Sequence, residues 1–178
     1  MRRILPAAAL LAAFALTGCQ PAAEAPAFQA TDITGAPFGR DFELTDHNGA
    51  TRTLADFRGK AVAVFFGYTH CPDVCPTTLS DFAAALKLIG GQAERVQVIF
   101  VTVDPQRDTP DLLKQYVPAF NPGFLGMHTD AESLKRLANE FKVVYQKSAV
   151  KAADDYLIDH SAGTYVYDAK GNLRLLMP

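Results

Sequence analysis

AVAVFFGYTHCPDVCPTTL, residues 61 to 79, runs an unbroken apolar segment into two prolines and two cysteines, Cys71 and Cys75, with three residues between the cysteines. The run at 61–66 shows no alternation of polar and apolar residues, the pattern of a strand buried on both faces. From Pro76 onward Leu79, Phe82, Leu86 and Ile89 recur at spacings of three and four, so the spacing predicts a helix that lays one stripe against a sheet. Gly90-Gly91 ends it. A second apolar run, VQVIFVTV at 96–103, follows. Strand, helix and strand at this spacing make a right-handed parallel crossover. The fold class is therefore α/β.

The flanking sequence adds to that unit. RDFELTDHNGATRTL at 40–54 places Asn48-Gly49 between two short strands, a hairpin signal. Thr109-Pro110-Asp111 supplies an N-cap, an N1 proline and an early acid, and starts a helix running to about Phe120. A short strand is expected at Phe124–Met127, and Asp130 caps a further helix with Leu134, Leu137 and Phe141 inward. VVYQKSAV, GTYVYD and LRLLM read as the last strands, the final two separated by the turn Lys170-Gly171-Asn172. The order predicts a thioredoxin-like α/β sandwich with an N-terminal β-hairpin extension over residues 39–178, without an internal repeat.

At 178 residues, 49% hydrophobic and 20% charged, the chain has the composition to bury one core. Its formal net charge of -2 and the lack of any lysine or arginine block argue against a nucleic-acid partner gripped through phosphates. The N-terminus reads as an address. MRR is a positive region, ILPAAALLAAFAL a short apolar one, and LTGC closes it with small residues before a cysteine, the layout of a secretory signal over 1–18. LTGC resembles the bacterial lipobox, which makes Cys19 a lipidation site; a plain signal peptide is the competing reading. Residues 19–38, rich in alanine and proline, read as a flexible tether. The domain is then expected on the periplasmic side of the bacterial inner membrane, held by a lipid anchor.

Of the three cysteines, that leaves Cys71 and Cys75 as thiols in an oxidising compartment. Three readings compete: a redox couple, a metal site and a structural staple. A disulfide across so short a loop removes little chain entropy, which disfavours the staple. The pair lies at the carboxyl end of the first long strand, where α/β proteins place their sites. Pro76 favours Cys75 at or near the N-cap of the helix, where the positive helix end stabilises a thiolate. The loop is one residue longer than C-x-x-C, and no proline occurs between Pro122 and Pro178. A thioredoxin-type oxidoreductase normally carries a cis-proline opposite its cysteines, so a general disulfide exchanger is disfavoured.

The stretch DDYLIDHS, residues 154–161, reads as a late loop ahead of the strand GTYVYD and brings His160 to the same edge. Two thiolates and an imidazole suit Cu(I) and can hold Cu(II), with zinc the main competitor. Asp159 is a candidate acceptor for the imidazole. His47, His70 and His128 read as surface or hydrogen-bonded residues, and Met127 as core. In VDPQRDTP, residues 103–110, Asp104 and Asp108 suit turns and caps, with Arg107 bracing the loop by an ion pair.

GYTHCPDVCPTTL, VTVDPQRDTP and YLIDHS together resemble the three motif blocks of the SCO/SenC family, over about Phe42 to Leu176. The resemblance implies copper ligands at Cys71, Cys75 and His160 and a thioredoxin-like fold tethered to a membrane. It further implies assembly of the dinuclear copper centre of cytochrome c oxidase, with the copper-receiving oxidase subunit and other copper chaperones as partners. The role is that of a metallochaperone rather than an enzyme; a thiol-disulfide reductase that keeps partner cysteines ready for metal is the alternative, with Cys71 and Cys75 as its redox pair. The family pattern continues past the last hairpin into a helix that covers the sheet. Here the sequence reads RLLMP at 174–178, so either the sequence is truncated or the domain lacks that cover, and Leu173, Leu175 and Leu176 are expected to be partly exposed.

Overall fold

The computed structural model describes residues 28–149 and 151–178. The expected signal segment, Cys19 and the tether as far as residue 27 lie outside them. At the centre, β4 (Ala61–Gly67) and β5 (Val96–Thr102) run parallel, paired from Ala61 with Val96 to Gly67 with Thr102. Their continuous apolar runs are buried on both faces because helices cover both. α1 (Val74–Ile89) and α2 (Pro110–Tyr116) are the crossovers on either side of β5, and α3 (Ala131–Phe141) covers the opposite face. Phe65 packs with Phe100, and Phe100 with Tyr116 of α2, at centroid distances of 6.0 Å each. Phe66 points the other way, 5.2 Å from Phe141 of α3. Burying each of these phenylalanines is worth about 1.5–3 kcal/mol.

β6 (Leu125–His128) continues the parallel set beyond β5, and the hairpin of β2 (Glu43–Asp46) and β3 (Thr51–Thr53) closes that side antiparallel. On the other side lie β9 (Thr164–Tyr167) and β10 (Leu173–Met177), giving with a short β1 (Thr31–Asp32) the order β1-β10-β9-β4-β5-β6-β2-β3. This is the mixed sheet and helix arrangement of a thioredoxin-like domain. The caps follow the sequence signals: Thr109 accepts from Leu112 N and Asp130 from Glu132 N and Ser133 N. Leu173 is buried, whereas Leu175 and Leu176 are half-buried.

Four expectations need correction. First, α1 starts at Val74 and not at Pro76, with Asp73 as N-cap, and Cys75 lies in the first turn, near the N-cap as expected. The first four N–H groups of a helix have no intrahelical partner, so Pro76 marks the first turn without fixing its first residue. Second, Ile89, the last residue of α1, is exposed. Third, residues 154–161 are not a plain loop: β8 (Leu157–His160) pairs antiparallel with β7 (Tyr145–Ser148) in a separate two-stranded sheet. The YQKS strand therefore does not join the closing strands of the main sheet. The physical reason is an alternation in which Tyr156 and Ile158 are buried while Leu157 and Asp159 face solvent. Fourth, the segment expected as tether is docked before it ends, since β1 pairs with β10 and Ile33, Ala36 and Phe38 pack on the core.

Candidate metal centre

Each candidate ligand is delivered by a different piece of the fold. Cys71 lies in the turn after β4, with its N–H donating to the Tyr68 carbonyl at 3.2 Å. Cys75 is wholly buried in α1, where Phe65, Gly67 and Phe100 meet. A Cβ on Gly67 would stand 2.8 Å from the Cys75 sulfur and 2.8 Å from the Phe100 ring. Glycine is therefore required for the sulfur to approach the end of β4. His160 ends β8, half-buried, its ring edge-on to Tyr68 at 5.8 Å and to Phe65 at 6.3 Å.

The geometry brings all three together. One ligand atom from each of Cys71, Cys75 and His160 lies within 4.8 Å of the others, and this is the one such cluster among the described residues. The closest resolved pair is Cys75 Sγ and His160 Nε2, at 3.5 Å. Both cysteines are free thiols. Three donors this close, two of them sulfur, can hold a soft metal ion.

The tautomer of His160 follows from its neighbour. Nδ1 lies 3.0 Å from the Ser161 carbonyl, which can only accept. Nδ1 therefore carries the proton, and the neutral ring presents the Nε2 lone pair to the sulfurs. The orienting acceptor is thus the Ser161 carbonyl and not Asp159. Asp159 stands opposite Gln146 and is exposed, because alternation along β8 turns it away from the face His160 uses.

The thiolate expectation fails for Cys75. Burial pushes its thiol strongly up, and Cys71 adds to this, outweighing the Tyr68 backbone N–H that donates to the sulfur. Desolvation of the charged form prevails over the helix N-terminus. In the metal-free state the Cys75 proton is held, and an incoming metal must displace it.

The remaining histidines stay outside the cluster. His47 is buried, its Nδ1 accepting from Gly126 N at 3.0 Å. His70 is half exposed, 3.9 Å from Asp108. His128 lies partly buried in β6, and Met127 is core. The VDPQRDTP segment is scaffold, as its residue types suggest. Asp108 is buried and accepts from Thr69 N at 3.0 Å, and from the Thr69 and Thr102 hydroxyls at 2.6 Å each. It thereby holds the chain two residues before Cys71. Burial outweighs these donors and pushes the Asp108 carboxyl up. Arg107 pairs with Asp104.

Sequence reasoning missed Tyr68 and Tyr156. The Tyr68 hydroxyl accepts from Ile158 N at 3.1 Å, joining the cysteine loop to the histidine strand. Its position between β4 and the first cysteine is the only sequence signal. The groove over the site runs between Cys71–Val74 and Leu157–His160, with Val74 and Leu157 exposed on its rim. No helix among the described residues is long and apolar enough to cross a membrane.

A thioredoxin-like domain with two thiols and an imidazole converging at the end of its central strand defines a class of protein, and comparison with known proteins supplies the family. The SCO1/SenC family model matches residues 30–178, and the chain belongs to that family. It is 38% identical over 136 residues to an SCO2-like protein of Rickettsia felis, a match that covers 75% of this chain and 65% of that protein. Among solved structures, Bradyrhizobium japonicum ScoI with copper bound is 38% identical with a TM-score of 0.74, covering 79% of this chain and 89% of the other. Apo Sco1 of Thermus thermophilus is 44% identical with a TM-score of 0.71, covering 84% and 86%.

Proposed function

We propose that this protein is a copper carrier that binds the ion through Cys71, Cys75 and His160 and passes it to the copper-receiving subunit of cytochrome c oxidase. The observation that carries this is the convergence of two sulfurs and one imidazole nitrogen within 4.8 Å at the rim of an open groove. The donor set fits copper: paired sulfur suits Cu(I), and the added nitrogen lets the same site hold Cu(II). A similar structure, that of Bradyrhizobium japonicum ScoI, has copper bound. Three protein ligands leave a coordination position for an incoming thiol or imidazole of a partner. The chain's own contribution is to fix the sulfurs, set the His160 tautomer and keep both donors at the groove.

The reading extends to placement. A signal segment over 1–18, a lipid anchor at Cys19 and a tether that ends before β1 would hold the folded domain at the periplasmic side of the inner membrane. The lipobox-like LTGC supports this. A second reading, a thiol-disulfide reductase for partner cysteines, draws on the two free thiols side by side. The protonated, wholly buried Cys75 weakens it, because the thiolate is the attacking species and attack would fall to Cys71 alone.

The test is copper titration of the reduced protein. One Cu(I) per chain, lost in both Cys71→Ser and Cys75→Ser, is the expected result. Unchanged affinity in either variant would exclude the site.

A further inference from the structure

Among the described residues, the hairpin that carries His160 shares no strand pairing with the main sheet. Its seat therefore depends on side chains, and one of them reaches every part of the junction. Arg107 is anchored at the end of β5 by its pair with Asp104. Its Nη1 donates to the carbonyls of Tyr156 at 2.9 Å and Asp154 at 3.1 Å, the residues leading into β8. Its guanidinium lies 3.6 Å from the Tyr156 ring centroid and 5.9 Å from that of Tyr68. The Tyr156 hydroxyl returns to Asp104 at 2.8 Å, and Lys147 of β7 lies 3.9 Å from the same ring centroid. Arg107 keeps this seat although its Nη2 is buried without a hydrogen-bond partner among the described residues.

We propose that Arg107 is a positioning residue for His160: it latches the β7-β8 hairpin onto the sheet-borne loops and so fixes where the imidazole meets the two sulfurs. The inference rests on the reading of His160 as a metal ligand. A planar fork is needed, because the latch stacks on a ring while donating in two directions. A lysine can keep the charge beside Asp104, but it cannot stack on Tyr156 and reach both carbonyls. Without the latch, the Tyr156 hydroxyl on Asp104, the Tyr68 hydroxyl, the contact of Lys147 Nζ with Gln106 and the burial of Tyr156 and Ile158 remain to hold the hairpin.

The experiment compares wild type with Arg107→Lys, which preserves the charge balance of the buried Asp104, and with the harsher Arg107→Met. In the copper-free protein, amide exchange across 157–160 should quicken about tenfold in Arg107→Lys while β4 and β5 keep their protection. With Cu(II), affinity should fall about 10–100-fold and the histidine nitrogen hyperfine signal should weaken, since partners that orient a ligand typically carry that much. Cu(I) affinity should fall less, because the dithiol is intact. Unchanged exchange at 157–160, a matching gain in β4 and β5, or equal loss for both copper states would overturn the latch. If the wild-type Cu(II) complex itself lacks a nitrogen signal, the metal reading of His160 fails, while the exchange result still decides the latch.

Discussion

The cysteine loop and the histidine hairpin meet at one site but are built differently. Cys71 and Cys75 lie in the turn and the helix that follow β4, the strand flanked by β9 and β5 in an eight-stranded sheet, and both are buried. His160 ends a two-stranded hairpin outside that sheet and is only half-buried. The sulfurs are positioned by core packing, which changes only when the core does. The imidazole is positioned by a few polar and stacking contacts at a junction. The two kinds of donor can therefore be disturbed separately, which suits the proposed role of holding an ion and then giving it up.

The largest expected effect comes from the rigid side. Cys75→Ser replaces a soft sulfur with a hard hydroxyl, and Cu(I) affinity in a competition titration should fall by several orders of magnitude. Retained tight binding would mean that the buried sulfur is not a ligand. On the hairpin side, His160→Ala removes the nitrogen and spares the dithiol. Losing a ligand should cost more than losing the partner that orients it, so Cu(II) affinity should drop by about a hundredfold or more. Cu(I) affinity should fall less, and reversible oxidation of Cys71 with Cys75 should persist. Equal losses for the two copper states would erase the distinction between the two regions.

A third substitution tests the packing claim without any metal. Gly67→Ala places a Cβ 2.8 Å from both the Cys75 sulfur and the Phe100 ring. Overpacking of this kind costs about 1–3 kcal/mol, readable as a lowered unfolding midpoint in urea. A neutral result would show the sulfur less tightly confined than its surroundings imply.

The two regions were also unequally legible in the sequence. β4 and β5 could be read because parallel strands buried on both faces need uninterrupted apolar residues, and VDPQRDTP because aspartates and a proline mark turns and caps. The cysteines stood out by spacing, and His160 by its place just before β9. β8 escaped notice because its alternation spans four residues between an Asp-Asp pair and a serine, and it becomes a strand only against β7. The Cys75 proton escaped notice for a different reason. A local helix-end argument favours the thiolate, whereas the burial that overrides it comes from Phe65 and Phe100, distant in sequence. Asp159 looked like the imidazole's partner by adjacency, but adjacent strand residues face opposite ways.

The smallest effect concerns a second hairpin, the β2-β3 pair, which contrasts with β7-β8 because β6 ties it into the main sheet. Its turn is closed by Asp46, which accepts from Asn48 N at 2.9 Å, Ala50 N at 3.0 Å and Arg52 Nε at 2.9 Å. Burial acts to raise the Asp46 carboxyl, but the Arg52 hydrogen bond and the two backbone donors together hold it below the usual range. The unfolded carboxyl titrates near ~3.9, so the folded value lies lower. Asp46 then adds stability above that unfolded value, and the contribution disappears as pH falls through the folded one. Wild type should accordingly lose stability over that acid window more steeply than Asp46→Asn, with the two slopes converging near neutral pH. The difference should be about 1 kcal/mol or less, since Arg52 is partly exposed and solvent screens the pair. Thermal midpoints measured across the acid range provide the check, and parallel slopes for the two proteins would mean that Asp46 does not close this turn as a charged group.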